Sequence, residues 1–210
     1  MCGRFYVDEE TAKEIERIIR NVDLRIQKIH TGDIYPSQTA GIVAGKSIPK
    51  KQAVLSSVVE ESSELHLEGM QWGFPQYQKK GLLINARAET ALERKTFRDS
   101  VLHRRCIIPA RHFYEWDFDK NKVTFFRKDR SVLYMAGFYN GFQDQLHFII
   151  LTTQANASVR PVHDRMPLVL EENELEQWIF DDRFTEYALH KNPPVLWREQ
   201  EYEQQSLFLT

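Results

Sequence analysis

The chain has 210 residues, with 28 Lys and Arg against 30 Asp and Glu, a formal net charge of −2. That length buries a sizeable core as one large domain or two small ones, while the mild acidity argues against coating duplex nucleic acid, which calls for a basic excess. An aromatic fraction of 12% favours a sheet-rich core, stacking surfaces, or both.

In chain order, Phe5 to Val7 reads as a short strand. Asp8 then caps a helix whose apolar face is Ala12, Ile15, Ile18, Ile19 and Val22. After a loop at Tyr35-Pro36-Ser37, strands are expected at Thr39–Val43, Gln52–Val59 and Leu65–Trp72, the last ended by Gly73 and Pro75, before a polar loop over Gln76–Lys80. Leu82–Ala86 has the apolar run of a buried strand, and Glu89 to Arg98 is expected to be helical. Strands follow at Arg105–Pro109 and Phe113–Phe118, the latter turning through Asp119-Lys120-Asn121-Lys122 into Val123–Arg127. Val132–Tyr139 and Leu146–Thr153 are two further strands. Asn156–Arg160 is a short helical or turn segment, and Glu172–Phe180 and Thr185–His190 are amphipathic helices. Many strands in meander order with helices at the edges predict an α+β fold in one domain, with a central mixed or antiparallel barrel-like sheet flanked by helices.

Two cysteines 104 residues apart do not make a disulfide scaffold or a zinc site. No metal-ligand spacing, phosphate-cradling glycine loop or dinucleotide fingerprint is present, so no cofactor or metal is implied. A polar amino terminus and the lack of any ~18-residue apolar run give no reason to expect a leader or membrane span. A cytoplasmic monomer is the expectation.

Cys106 sits in an apolar strand-like run and reads as a buried, inert thiol. Cys2 differs. Removal of Met1, expected when a small residue follows it, leaves an α-amine and a thiol on adjacent carbons, both partly nucleophilic near neutrality. A 1,2-aminothiol condenses with an aldehyde and closes to a five-membered thiazolidine. In Phe113-Tyr114-Glu115-Trp116-Asp117, alternation puts Phe113, Glu115 and Asp117 on one face; if that face is sheltered, the Glu115 carboxyl is raised toward neutral pH and suits proton transfer. His163, Asp164 and Arg165 lie between Pro161 and Pro167 in a restricted loop, where His163 suits proton shuttling and Arg165 phosphate binding. Asn85 and Arg87 face one side of a strand, an amide beside a guanidinium. Trp72 either stacks bases or closes a core. From 85 to 115, seven Lys and Arg against four acids leave room for a local basic groove.

These segments together resemble the SRAP family, the SOS-response-associated peptidases also described as abasic-site processing proteins. The matching pieces are Met1-Cys2-Gly3-Arg4-Phe5, Gln71-Trp72-Gly73, Asn85-Ala86-Arg87-Ala88-Glu89-Thr90, Arg104 to Ala110, Phe113-Tyr114-Glu115-Trp116, Thr152 to Asn156 and His163-Asp164-Arg165-Met166-Pro167. The resemblance implies a covalent thiazolidine between Cys2 and the ring-opened sugar of an abasic site in single-stranded DNA. It makes Asn85 a holder of the amino terminus or sugar, and gives the proton transfers to Glu115 and His163. Arg4, Arg87 and Arg165 would bind flanking phosphates; Pro36 and Trp72 would pack against unstacked bases. The family's small turn before Phe-Tyr-Glu-Trp, often Asp-Gly, is Arg111-His112 here, bulk and charge that would alter DNA approach. An N-terminal-nucleophile cysteine peptidase, or a non-catalytic single-stranded nucleic-acid binder, would use the same residues differently.

Overall fold

A computed structural model describes residues 2–19, 30–48, 62–76 and 80–200. In chain order it contains β1 (Phe5–Val7), α1 (Glu9–Ile18), β2 (Gly32–Ile34), β3 (Thr39–Ile48), β4 (Ser62–Trp72), β5 (Phe74–Pro75), β6 (Leu82–Leu83) and β7 (Asn85–Arg87). A 3-10 turn at Ala88–Thr90 leads to α2 (Lys95–His103), β8 (Arg105–Ala110), β9 (His112–Trp116), β10 (Lys122–Phe126), β11 (Leu133–Phe142) and β12 (Gln145–Gln154). Then come β13 (Arg165–Pro167), β14 (Val169–Leu170), α3 (Leu175–Phe180), α4 (Asp182–His190) and β15 (Trp197–Gln200).

Five strands close a ring: β3 pairs with β4, β4 with β12, β12 with β11, β11 with β8, and β8 with β3. The β4–β12 pairing is parallel and the other four are antiparallel, so the barrel is mixed. A second, wholly antiparallel sheet runs β15-β10-β9-β1-β2. Helices cover the other side. The α+β architecture with a barrel-like sheet expected from the sequence is the one found.

Period-2 alternation sorts the strand side chains into two apolar layers. Cys106 and Ile108 of β8, and Phe148 and Ile150 of β12, pack in one cluster with Phe5, Phe113 and Phe125 of the five-stranded sheet. Their neighbours Ile107, Ile149 and Leu151 pack in the other with Trp178 and Leu189 of the helices. Where β11 is pressed between β8 and β12, only glycine fits: a Cβ on Gly137 would lie 2.4 Å from Ile108 Cδ1 and 2.5 Å from the Ile149 carbonyl oxygen.

Helix α1 begins as expected, with an Asp8 carboxylate oxygen accepting the Thr11 N–H at 2.7 Å and Glu9 and Glu10 in the first turn, where the helix dipole favours them. Ile15 and Ile19 are buried; Val22 and the strand expected at Gln52–Val59 lie outside the described residues.

Three expectations are corrected. The helix expected at Glu89 begins only at Lys95, because Glu89 is drawn onto Arg165 and Thr153 and ties the preceding turn to β12. The run Leu82–Ala86 breaks at Ile84, whose carbonyl accepts both the Trp72 indole N–H and the Ile150 N–H. The C-terminal segment carries an unforeseen strand, β15, which pairs with β10.

Candidate functional site

Cys2 is fully buried where β1 enters the five-stranded sheet. The pairing of β1 with β9, Phe5 opposite Phe113, continues as the Tyr114 N–H donates to the Arg4 carbonyl at 3.0 Å, and that carbonyl also lies 3.7 Å from the Cys2 thiol. From the barrel side, Asn85 Nδ2 donates to the Cys2 carbonyl at 2.8 Å. That contact fixes the amide's orientation, since a carbonyl only accepts. Asn85 Oδ1 is thereby left buried without a partner among the described residues. It is an acceptor ready for an incoming N–H or O–H beside Cys2.

Glu115 is 3% exposed, so the sheltered face of β9 is the Phe113 face. Burial pushes its carboxyl above the usual carboxylate range, while a charge on His163 works the other way. Burial also pushes the Cys2 thiol well above its ordinary value, and the Glu115 charge adds to this. The two groups therefore sit within electrostatic reach, and neither ionises readily. His163 Nδ1 accepts the Arg165 backbone N–H at 2.9 Å, which places the imidazole proton on Nε2 in the neutral ring. The same nitrogen is 3.0 Å from Asp164, a contact that becomes an ion pair only when the ring is protonated. Cys2, Asn85, Glu115 and His163 thus come together from four separate segments.

The arginines divide. Arg87 is exposed and lines a groove of about 350 Å³ with Gln154, Arg160, Asp164 and Arg165. Arg165 itself is 8% exposed and grips Glu89 with two hydrogen bonds, at 2.7 and 2.8 Å, while donating to the Thr152 carbonyl. Burial would raise the Glu89 carboxyl, but this fork holds it below the usual range. Arg165 is in the first place a brace between β13, β12 and the Ala88–Thr90 turn. Arg4 pairs with Asp33, and its guanidinium carbon lies 5.1 and 4.4 Å from the centroids of the Tyr35 and Tyr114 rings.

Trp72 does not offer a face to bases. Its ring is fully buried, 5.2 Å from Phe5, and its N–H donates to the Ile84 carbonyl at 2.9 Å, so it supports β1 and Asn85 from below. Pro36 is half-buried in a turn tied to β4 by the Ser37 N–H to the Trp72 carbonyl and the Trp72 N–H to the Gln38 carbonyl, both 2.9 Å.

The basic stretch from 85 to 115 does not form a continuous groove. Arg105 is buried against the Trp178 and Ile179 carbonyls, Arg104 pairs with Asp99, and Arg111 turns to Asp8 and Glu10. His112 brings no charge either: burial lowers it to about 4, and it stacks on Tyr6 with its Nε2 2.8 Å from the Tyr114 hydroxyl. Asp33, Tyr35 and Arg160 were not singled out by sequence. Their signal is spatial, since Arg4 and Asp33 meet across 29 residues.

The fold and site define a mixed β-barrel protein that keeps its second residue, a cysteine, buried beside a carboxylate, an amide and an imidazole. The family model described as SOS response associated peptidase (SRAP) matches residues 1–203, and the chain belongs to that family. It is 32% identical over 193 residues to the abasic site processing protein YoqW of Bacillus subtilis, covering 85% of this chain and 80% of that one. It is 29% identical over 188 residues to the abasic site processing protein YedK of Escherichia coli, covering 85% and 79%. A crystal structure of a Bordetella bronchiseptica protein shares the fold with a TM-score of 0.73 at 20% identity, over 96% of this chain and all of that one. Among the described residues no helix is long and apolar enough to cross a membrane, and no cluster of His, Cys, Asp and Glu has the makings of a metal site.

Proposed function

We propose that this chain processes abasic sites in DNA by trapping the ring-opened sugar of an unpaired strand on Cys2. One observation carries the reading: Asn85 holds the Cys2 carbonyl at 2.8 Å, and the buried Glu115 carboxyl lies within electrostatic reach of the same residue. Loss of Met1 frees the Cys2 α-amine. Glu115, inclined to hold its proton, helps open the closed hemiacetal. The amine then bonds to the C1′ aldehyde carbon, and water leaves as the imine forms, with His163 suited to carry protons. Sulfur bonds to the same carbon while the thiol proton passes to nitrogen. The product is a thiazolidine, one water lighter than its parts.

Ring closure removes the electron-withdrawing imine that would otherwise promote β-elimination and strand cleavage. Covalency also lowers the demand for non-covalent affinity, in keeping with a net charge of −2.

The test is intact mass before and after incubation with a single-stranded oligonucleotide carrying one abasic site. The expected species lacks Met1 and gains one oligonucleotide less one water, survives denaturation, and is lost in Cys2→Ala. Absence of the adduct from protein lacking Met1 would overturn the covalent reading.

A further inference from the structure

Two groups compete for Nδ1 of His163. The Arg165 backbone N–H reaches it at 2.9 Å as a donor, and Asp164 Oδ1 lies 3.0 Å away as an acceptor. In a neutral ring this nitrogen serves one of them at a time: bare, it accepts the N–H; protonated, it donates to the carboxylate. The outcome decides whether Nε2, the other ring nitrogen, is a donor or an acceptor.

One peptide plane governs the competition. It joins Asp164 to Arg165; its carbonyl accepts the Ala155 N–H at 2.9 Å, and its N–H faces His163. Backbone pairing holds it lightly. β13 has three residues, of which Pro167 carries no N–H and Arg165 gives its own to His163. The Arg165 side chain supplies the anchor. Thr152 of β12 pairs with Arg87 on one edge and Pro167 on the other, so β7 and β13 flank the same strand. Glu89, just past β7, accepts from both terminal nitrogens of Arg165, and Thr153 Oγ1 donates to the same carboxylate at 3.4 Å. Arg165 Nε has no partner among the described residues, so Glu89 and Thr152 hold the guanidinium.

We propose that Glu89 is a positioning residue for His163: by gripping Arg165 it keeps the Arg165 N–H on Nδ1, so that the neutral ring presents Nε2–H. When the grip is lost, Asp164 takes an Nδ1–H and the tautomer reverses. A charge-assisted fork suits the task, because it constrains the guanidinium in direction as well as distance. Glu89 also follows Asn85 by four residues, so one ion pair ties the segment bearing Asn85 to the segment bearing His163. The inference rests on the proposed reading in giving His163 a part in moving protons.

The experiment reads the His163 tautomer by long-range proton–nitrogen NMR of the full chain carrying isotope-labelled histidine, at about pH 9, where imidazoles are neutral. Wild type should show Nδ1 bare and Nε2 protonated. In Glu89→Gln the ratio of Nδ1–H to Nε2–H rings should rise about 2- to 12-fold, the worth of one ordinary hydrogen bond. Adding Asp164→Ala should reverse the rise, because the competing acceptor is gone. The control Glu93→Gln, an exposed acid past the same turn, should leave the ratio unchanged. Single-turnover adduct formation at saturating abasic oligonucleotide should slow in Glu89→Gln, and slow no further when that change is made in His163→Ala. If Glu89→Gln fails to fold, Glu89→Gln with Arg165→Met removes the poorly paired buried cation and should show the same rise. An unchanged ratio in the folded variants, or an equal loss of rate in the His163→Ala background, would overturn the positioning role. A shifted ratio with no adduct from the wild type keeps the positioning role and rejects the covalent reading; an adduct with an unchanged ratio does the reverse.

Discussion

Glu115→Gln separates charge from shape, because the amide fills the space of the carboxyl. At 3% exposure, the ionised carboxylate is the form that burial penalises, and the carboxyl is raised in consequence. The sign of the stability effect follows. An acid raised on folding contributes stability fully below its unfolded value of about 4.3, and loses it as pH rises through the folded value. Gln never ionises and loses nothing. The variant should therefore melt with the wild type near pH 4 and above it at pH 8, by about 1.36 kcal/mol for each unit by which folding raises the carboxyl. In a chain of this size each kcal/mol is worth about 2–4 °C. Activity should move the other way: a positioned acid–base group contributes about 100-fold or more, so adduct formation at saturating oligonucleotide should slow by at least that factor. Rapid-quench time courses on denaturing gels from pH 5 to 9, with melts of the same samples, give both numbers. Equal losses in rate and in DNA affinity, or a lower melting temperature throughout, would refute the proton-transfer role and make Glu115 a structural carboxylate.

Asn85→Ala strands the Cys2 carbonyl, a loss of about 1–3 kcal/mol. If that contact holds the reacting residue, single-turnover adduct formation should slow about tenfold or more, with a smaller change in affinity; an unchanged rate would remove Asn85 from the site. Trp72→Ala opens a cavity under β1 and should cost about 3–5 kcal/mol, lowering the melting temperature by about 6–20 °C. A normal melt with DNA affinity lost would return Trp72 to the surface role that its burial argues against.

Much of the fold was legible because local chemistry dictated it. Asp8 could cap only the helix that follows it. The strand-like runs at Arg105–Pro109 and Leu146–Thr153 matched β8 and β12, whose side chains divide between two apolar layers, and the run Phe113–Phe118 matched β9, which ends at Trp116. The turn at Asp117–Lys122 closed as its residues indicate, with Asp117 accepting the Asn121 N–H at 2.8 Å. The inward direction of Glu115 followed from the same alternation once Phe113 was taken as the sheltered neighbour.

The rest depended on which distant residues meet. Arg165 reads from sequence as a phosphate ligand, yet Glu89, 76 residues away, claims two of its donors. Trp72 reads from sequence as a stacking face or, more commonly, a core residue; Phe5 and the Ile84 carbonyl decided for the core. β15 joins its sheet by pairing with β10, although its own residues Trp197–Gln200 are mostly exposed and carry no apolar alternation to announce it. Periods, caps and the residue types able to react are local properties that can be read along the chain. Burial and pairing are not, because desolvation and ion pairing depend on groups brought together across the chain, as Asn85 is brought to Cys2 across 83 residues.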